Sequence, residues 1–228
     1  MSTGKAFDAW RALVGRDLLT EARTMRSLPA MVLFAVTTFI IFRYGLDRTQ
    51  LSGSLASGVL WTTLLFAAVL GINRLFVSER EEGGFDSFRL TPTPANVLLA
   101  AKVTSLFVYL AVLELIVVPI FALFFLPAWS SLLPLVAVLL LANLGFAMLG
   151  TLVSSMAVNS SARDLIAPLI LLPLVVPLMI AATGASAPLF GPEGPGYERF
   201  GEWLMVAALY DGVFLLVGYA VFEFLLED

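Results

Sequence analysis

Two residue types are missing altogether from this 228-residue chain: it has no cysteine and no histidine. The first absence excludes disulfide frameworks, iron–sulfur clusters and thiol chemistry. The second removes the commonest metal and haem ligand and the commonest general base. Charge is also scarce. Only 13% of residues are charged, against about a quarter in a soluble domain. No Gly-rich phosphate loop follows a strand and opens a helix, so the chain lacks its own ATP site of that kind. A net charge of −4, spread over loops and the C-terminal tail, gives nucleic-acid binding no support. Residues 1–27 are too charged for a cleavable signal peptide.

What fills the chain is apolar. Hydrophobic residues make up 60% of it, and the mean hydropathy is +0.96. Several continuous runs approach or exceed the roughly 20 residues that cross a bilayer as a helix. Continuous rather than alternating runs argue against a β-barrel. The expected fold class is all-α: a polytopic membrane protein with six transmembrane helices. The expected spans are about 28–44, 55–77, 103–126, 132–156, 165–185 and 203–226, forming one domain over 28–228. Residues 1–27 precede it as an amphipathic surface helix. There Phe7, Trp10, Val14, Leu18 and Ala22 recur at helical spacing. Such a helix lies along the headgroups, with Trp10 in the interface and arginines reaching phosphates, or else packs on protein.

Within the spans, Ser27 and Pro29 suit the first helix start. Pro119 should bend the third span, and Pro168, Pro173 and Pro177 should make the fifth irregular. Asn143, Gly145 and Gly150 should interrupt the fourth. Three polar residues stand out. Glu114 near mid-span would take up a proton, pair with a cation or line a polar path. The plainer reading is a protonated acid bonded to a neighbouring helix through Asn143 or a carbonyl freed by proline. Asn143 glues helices together. Asp211, nearer an interface, reads as a wet or paired structural acid. Methionines Met148, Met156 and Met179 read as packing residues. No catalytic set, metal site or directly bound cofactor is expected.

The one long polar passage between apolar runs is 73–102, NRLFVSEREEGGFDSFRLTPTPANVLLAAK. Gly83-Gly84 breaks the helix before it, Phe85–Leu90 is long enough for about one helical turn, and Thr91-Pro92-Thr93-Pro94 is a stiff extended segment. A new helix should start near Ala95-Asn96, with Lys102 where it enters the membrane. Six spans put both termini on one side. Counting Lys and Arg chooses that side. Lys5, Arg11, Arg16, Arg23, Arg26, Arg74, Arg80, Arg89, Lys102 and Arg163 fall on one side, and Arg43, Arg48 and Arg199 on the other. Ten against three puts both termini and the 78–102 loop in the cytoplasm.

An N-terminal surface helix, six spans and one large cytoplasmic loop between spans two and three resemble the membrane subunits of exporter-type ABC systems. The sequence is most similar to the haem exporter protein B family, CcmB, of cytochrome c maturation. The similarity is carried by Trp61, Arg74-Leu75-Phe76, the acid-rich turn Glu79–Glu82, Gly84-Phe85-Asp86, the Thr-Pro-Thr-Pro run, Ala101-Lys102 and the proline-spaced Leu171–Leu178. The family more often has Leu and Glu where Phe85 and Asp86 stand, which keeps the apolar and acidic character.

The resemblance implies a coupling helix within Arg80, Glu81, Glu82, Gly83, Gly84, Phe85, Asp86, Phe88, Arg89 and Leu90, docking on a separate ABC ATPase subunit. That ATPase, which binds the ATP, would be present in two copies against two copies of this chain. The complex would also hold a haem-handling membrane subunit and a small single-span subunit, in a bacterial inner membrane. ATP hydrolysis would drive release of a haem-loaded periplasmic chaperone. With no histidine here, haem would be cargo ligated by other subunits. The alternatives are an ABC-2-like exporter subunit for a lipid or drug, and a proton-driven secondary transporter using Glu114.

Overall fold

The computed structural model describes residues 3–24, 27–45, 52–81, 94–125, 129–157, 163–191 and 196–227. Among these, seven long helices follow one another: α1 (Thr3–Thr24), α2 (Leu28–Gly45), α3 (Gly53–Glu81), α4 (Ala95–Phe125), α5 (Leu132–Ala157), α6 (Arg163–Ser186) and α7 (Phe200–Glu227). Short 3₁₀ turns cover Trp129–Ser131 and Ala187–Phe190. Helices α2 to α7 are each long and apolar enough to cross a membrane, and the chain is a multi-pass helical membrane protein. Only helices and closed barrels satisfy every backbone polar group without water, so six apolar runs become six helices.

Helix α5 is the hub. It packs against α3, α4, α6 and α7. The expected break at Asn143, Gly145 and Gly150 does not occur, for α5 is one continuous helix. The glycines serve close approach instead. A Cβ on Gly150 would sit 2.7 Å from Ile72 Cδ1 of α3 and 3.1 Å from Leu106 Cδ2 of α4. Apolar side chains gain nothing by leaving lipid, so helices associate where small residues let them pack tightly. Pro119 lies within α4, and Pro168, Pro173 and Pro177 lie within an unbroken α6. The Tyr210 hydroxyl of α7 donates to the Leu174 carbonyl, in the turn ahead of Pro177.

One end of the bundle is closed by the passage after α6. Its Leu189 and Phe190 are buried. The Phe190 ring meets Phe121 at 5.4 Å, and Phe121 meets Phe39 of α2 at 5.5 Å and Phe125 at 5.1 Å. Ser131 Oγ donates to the Leu189 carbonyl at 2.7 Å. Beside this cluster the buried Trp61 indole N–H donates to Ser186 Oγ at 2.7 Å, and Ser57 Oγ lies 2.7 Å from the same oxygen. Ser186 in turn donates to Ala182 O. Trp61 therefore ties α3 to the end of α6 through a hydroxyl whose capacity is fully used. Ser186→Ala leaves the indole N–H without its acceptor, and an interhelical bond of this kind is worth about 1 kcal/mol. The expected outcome is a lower unfolding temperature of the purified protein in mild detergent, with Trp61→Phe in the same background costing less than Trp61→Phe alone.

Candidate intramembrane and coupling sites

Helix α1 carries alternate faces of apolar and charged residues, and its inward face settles on α4. Trp10 Nε1–H donates to Thr104 Oγ1 at 3.4 Å, and Lys102 Nζ lies 2.8 Å from Asp17 Oδ2. Of the two placements expected for α1, packing on protein is the one its Trp10 indole N–H makes. The helix expected to start near Ala95-Asn96 does so, which ends the loop expected over 78–102 before Lys102. Lys102 stands in the second turn of α4, and its side chain is 8% exposed. A cation so placed needs a partner, and Asp17 provides one from 85 residues away. The signal available beforehand was a single base eight residues into an apolar run. The pairing itself had none.

Deeper along α4, Glu114 is 9% exposed and Asn143 of α5 is fully buried. Asn143 Nδ2 donates to the Phe107 carbonyl at 3.1 Å and reaches Glu114 Oε2 at 3.5 Å. One amide thus engages the backbone and the acid of α4 together. The structure places these two sequence candidates side by side, with Asn143 as the interhelical link.

Asp211 is a correction. It is neither wet nor paired: it is 4% exposed, and among the described residues neither carboxyl oxygen has a hydrogen-bond partner. Its depth differs as well. Helix α7 runs over Phe200–Glu227, so Asp211 lies about three turns in from its start. The cause of its burial is on the opposing helix. A Cβ on Gly145 would stand 2.6 Å from Asp211 Oδ1 and 2.5 Å from Leu178 Cδ2. Glycine has only a hydrogen in that direction, so the carboxyl and Leu178 can close over it. Asn143 and Gly145 are two residues apart on a helix and face opposite ways. Glu114 and Asp211 therefore occupy different helix joints and do not form one acidic site.

For the coupling candidates, Arg80 and Glu81 belong to the last turn of α3, which runs beyond the expected end of span two. Glu82, Gly83, Gly84, Phe85, Asp86, Phe88, Arg89 and Leu90 lie outside the described residues, as do Pro92 and the break at Gly83-Gly84. On the far side, the Pro94 carbonyl accepts from Val97 N–H at 3.0 Å and Leu98 N–H at 3.3 Å, which starts α4. The stretch between 81 and 94 is thus flanked by two helices that both reach α5 at Gly150, through Ile72 and Leu106. At 1.5 Å per residue these contacts lie roughly 14 and 17 Å along the helices from the flanking ends.

Six helices long and apolar enough to span, joined at a hub helix approached through glycines, define a polytopic helical membrane protein. Comparison with known proteins gives the family. The model of the CcmB protein family matches residues 8–225, and the chain belongs to the CcmB family. It is 30% identical over 190 residues to heme exporter protein B of Rhodobacter capsulatus, covering 82% of this chain and 86% of the relative. It is 30% identical to the protein of the same name from Pseudomonas aeruginosa, covering 79% and 83%. Identity to that of Bradyrhizobium diazoefficiens is 27%, covering 82% and 86%.

The Gly145 contact is open to a double-mutant cycle. Gly145→Ala should destabilise the protein by about 1–3 kcal/mol through overpacking in a tight joint. Asp211→Ala should recover part of that loss, because neighbouring changes couple. Additive losses in thermal unfolding would show that the carboxyl does not sit on Gly145.

Proposed function

We propose that this chain is the membrane subunit of an ATP-driven complex serving haem export in cytochrome c maturation. The observation that carries the reading is family membership over nearly the whole chain, with relatives named heme exporter protein B. Those names also favour haem over a lipid or drug as the substance handled. Haem is cargo in this reading, ligated by other subunits, since no histidine or cysteine is present. The complex lies in a bacterial inner membrane with both termini of this chain cytoplasmic. It contains two copies of the chain, two of a separate ATPase, a haem-handling membrane subunit and a small single-span subunit.

The mechanism follows from how α3 and α4 leave the polar stretch. ATP-driven closure of the partner moves the segment Phe85–Leu90, with Gly83-Gly84 as its flexible end and the Pro92/Pro94 segment as its stiff one. Arg80, Glu81, Glu82, Asp86 and Arg89 set the docking register. Displacement travels along α3 and α4 to Gly150, where Ile72 and Leu106 press on α5. Packed helices transmit such a push because their interfaces are not continuously deformable. The output is release of a haem-loaded periplasmic chaperone.

Phe85→Asp together with Phe88→Asp should abolish co-purification of the ATPase subunit while leaving the membrane chain folded. Undiminished binding would sink the coupling-helix assignment. A proton-driven transporter using Glu114 makes the opposite demand: transport in proteoliposomes with a pH gradient and no ATPase. The expected result is that Glu114→Gln, which keeps an acceptor for Asn143, preserves cytochrome c maturation, and that all activity depends on the ATPase.

A further inference from the structure

The face of α1 turned away from α4 is unused by anything described above. At 100° per residue, Trp10, Leu13, Asp17 and Glu21 share the side that meets α4. On the outward side Lys5, Arg16 and Arg23 line one edge, and Arg11 lies beside Phe7 on the other. All four bases are exposed. Between them the surface is made of small or apolar residues, Ala12, Gly15, Leu19 and Ala22, with Asp8 as the one acid. Phe7 and Leu19 are each 59% exposed.

Asp17 is shared between Lys102 at 2.8 Å and Arg16 at 3.1 Å, so the outward charge is carried by Lys5, Arg11 and Arg23. Glu21 is turned inward and its Oε1 is buried. Lys102 takes part of the charge of Asp17, and Lys5, Arg11 and Arg23 against Asp8 leave the outer face basic.

The position of that face is set by two anchors. Helix α2 starts to span at Leu28, four residues after α1 ends, so the last turn of α1 lies within about 14 Å of a span. The contacts with Lys102 and Thr104 fall in the first turns of α4, which is also a span. Both anchors hold α1 at the end of the bundle where α2 and α4 begin, and the ends of spanning helices are where hydrocarbon gives way to headgroups. There, exposed Phe7 and Leu19 find an apolar boundary, and flanking bases find phosphates.

We propose that the outward face of α1 is a docking surface for anionic phospholipid headgroups, clamped to the bundle by the Asp17–Lys102 ion pair. The charge complementarity selects anionic over zwitterionic lipid. The surface is independent of the coupling stretch, so its test stands apart from that of the proposed function.

Because the chain has no cysteine, Leu19→Cys carries a unique spin label. The full chain is placed in nanodiscs of phosphatidylcholine alone or mixed with phosphatidylglycerol, and the label's accessibility to oxygen and to a water-soluble nickel complex is compared. The expected result is a lipid-immersed label in the anionic discs. Neutralising any one of Lys5, Arg11 or Arg23 to Gln shifts its bound-to-free ratio roughly fivefold, and the triple variant matches the neutral discs. The charge-conserving triple Lys5→Arg/Arg11→Lys/Arg23→Lys keeps the native response, which separates charge from folding. A label equally exposed in both lipid compositions overturns the proposal, as does loss of the response in the charge-conserving triple. Protection that appears only on adding the ATPase subunit also overturns it and assigns the face to an acidic protein surface.

Discussion

Close approach to α5 is the constraint on which the rest of the bundle depends. Lipid is as apolar as leucine, so no hydrophobic drive pulls these helices together. What remains is contact, and contact is densest where a helix offers only a hydrogen. Gly150 admits Ile72 and Leu106, and Gly145 admits Leu178 and Asp211. Four other helices thereby reach one central helix. Asn143, between these glycines and the near end of α5, adds a polar tie to α4 through the Phe107 carbonyl and Glu114.

Polar groups inside the spans are treated in three ways. Some are satisfied locally, as where Ser186 serves Trp61 and Ala182, or where the Tyr210 hydroxyl takes a carbonyl beside a proline. Leaving such groups unpaired in hydrocarbon costs free energy, which is why these bonds recur at helix joints. Asp211 stands outside that pattern, closed over Gly145 with no hydrogen-bond partner among the described residues. Lys102 shows the third option, a charge buried near the bundle's end and paired across to a surface helix. Breaking such a pair costs far more than forming it gains, so α1 is tied to α4 rather than merely resting on it. The bundle end that carries α1 also carries the ends of α3 and α4 that flank the polar stretch. A partner acting there would meet helices already joined to the core at Gly150.

Much of the fold was legible in the chain. Length, continuous apolar runs and their polar separators are local properties, and they identify α2 to α7 and the surface helix α1. Boundaries were less certain. The start of α4 at Ala95 was readable from the prolines before it, but α3 runs on to Glu81, past the expected end of span two. The break expected in α5 failed for a physical reason: glycine weakens a helix in water, whereas in a packed span it is the residue that lets neighbours in. Of the candidate site residues, Glu114 and Asn143 do meet, and Asp211 keeps apart from both.

By itself the sequence determined the class of molecule, the number of spans, the absence of histidine and cysteine chemistry, and the family. It could not say which side of each helix faces protein. In soluble proteins the apolar stripe marks the core, but here inward and outward sides are equally apolar. Leu113 is buried and Leu115 is 75% exposed, Leu135 is buried and Leu133 is 82% exposed, and nothing in their type distinguishes them. Tertiary structure alone decided that Lys102 pairs with Asp17, that Trp61 reaches Ser186, and that Asp211 closes over Gly145. Each is a contact between distant residues whose partner is chosen by shape and spacing, and none of the three is written in local hydropathy.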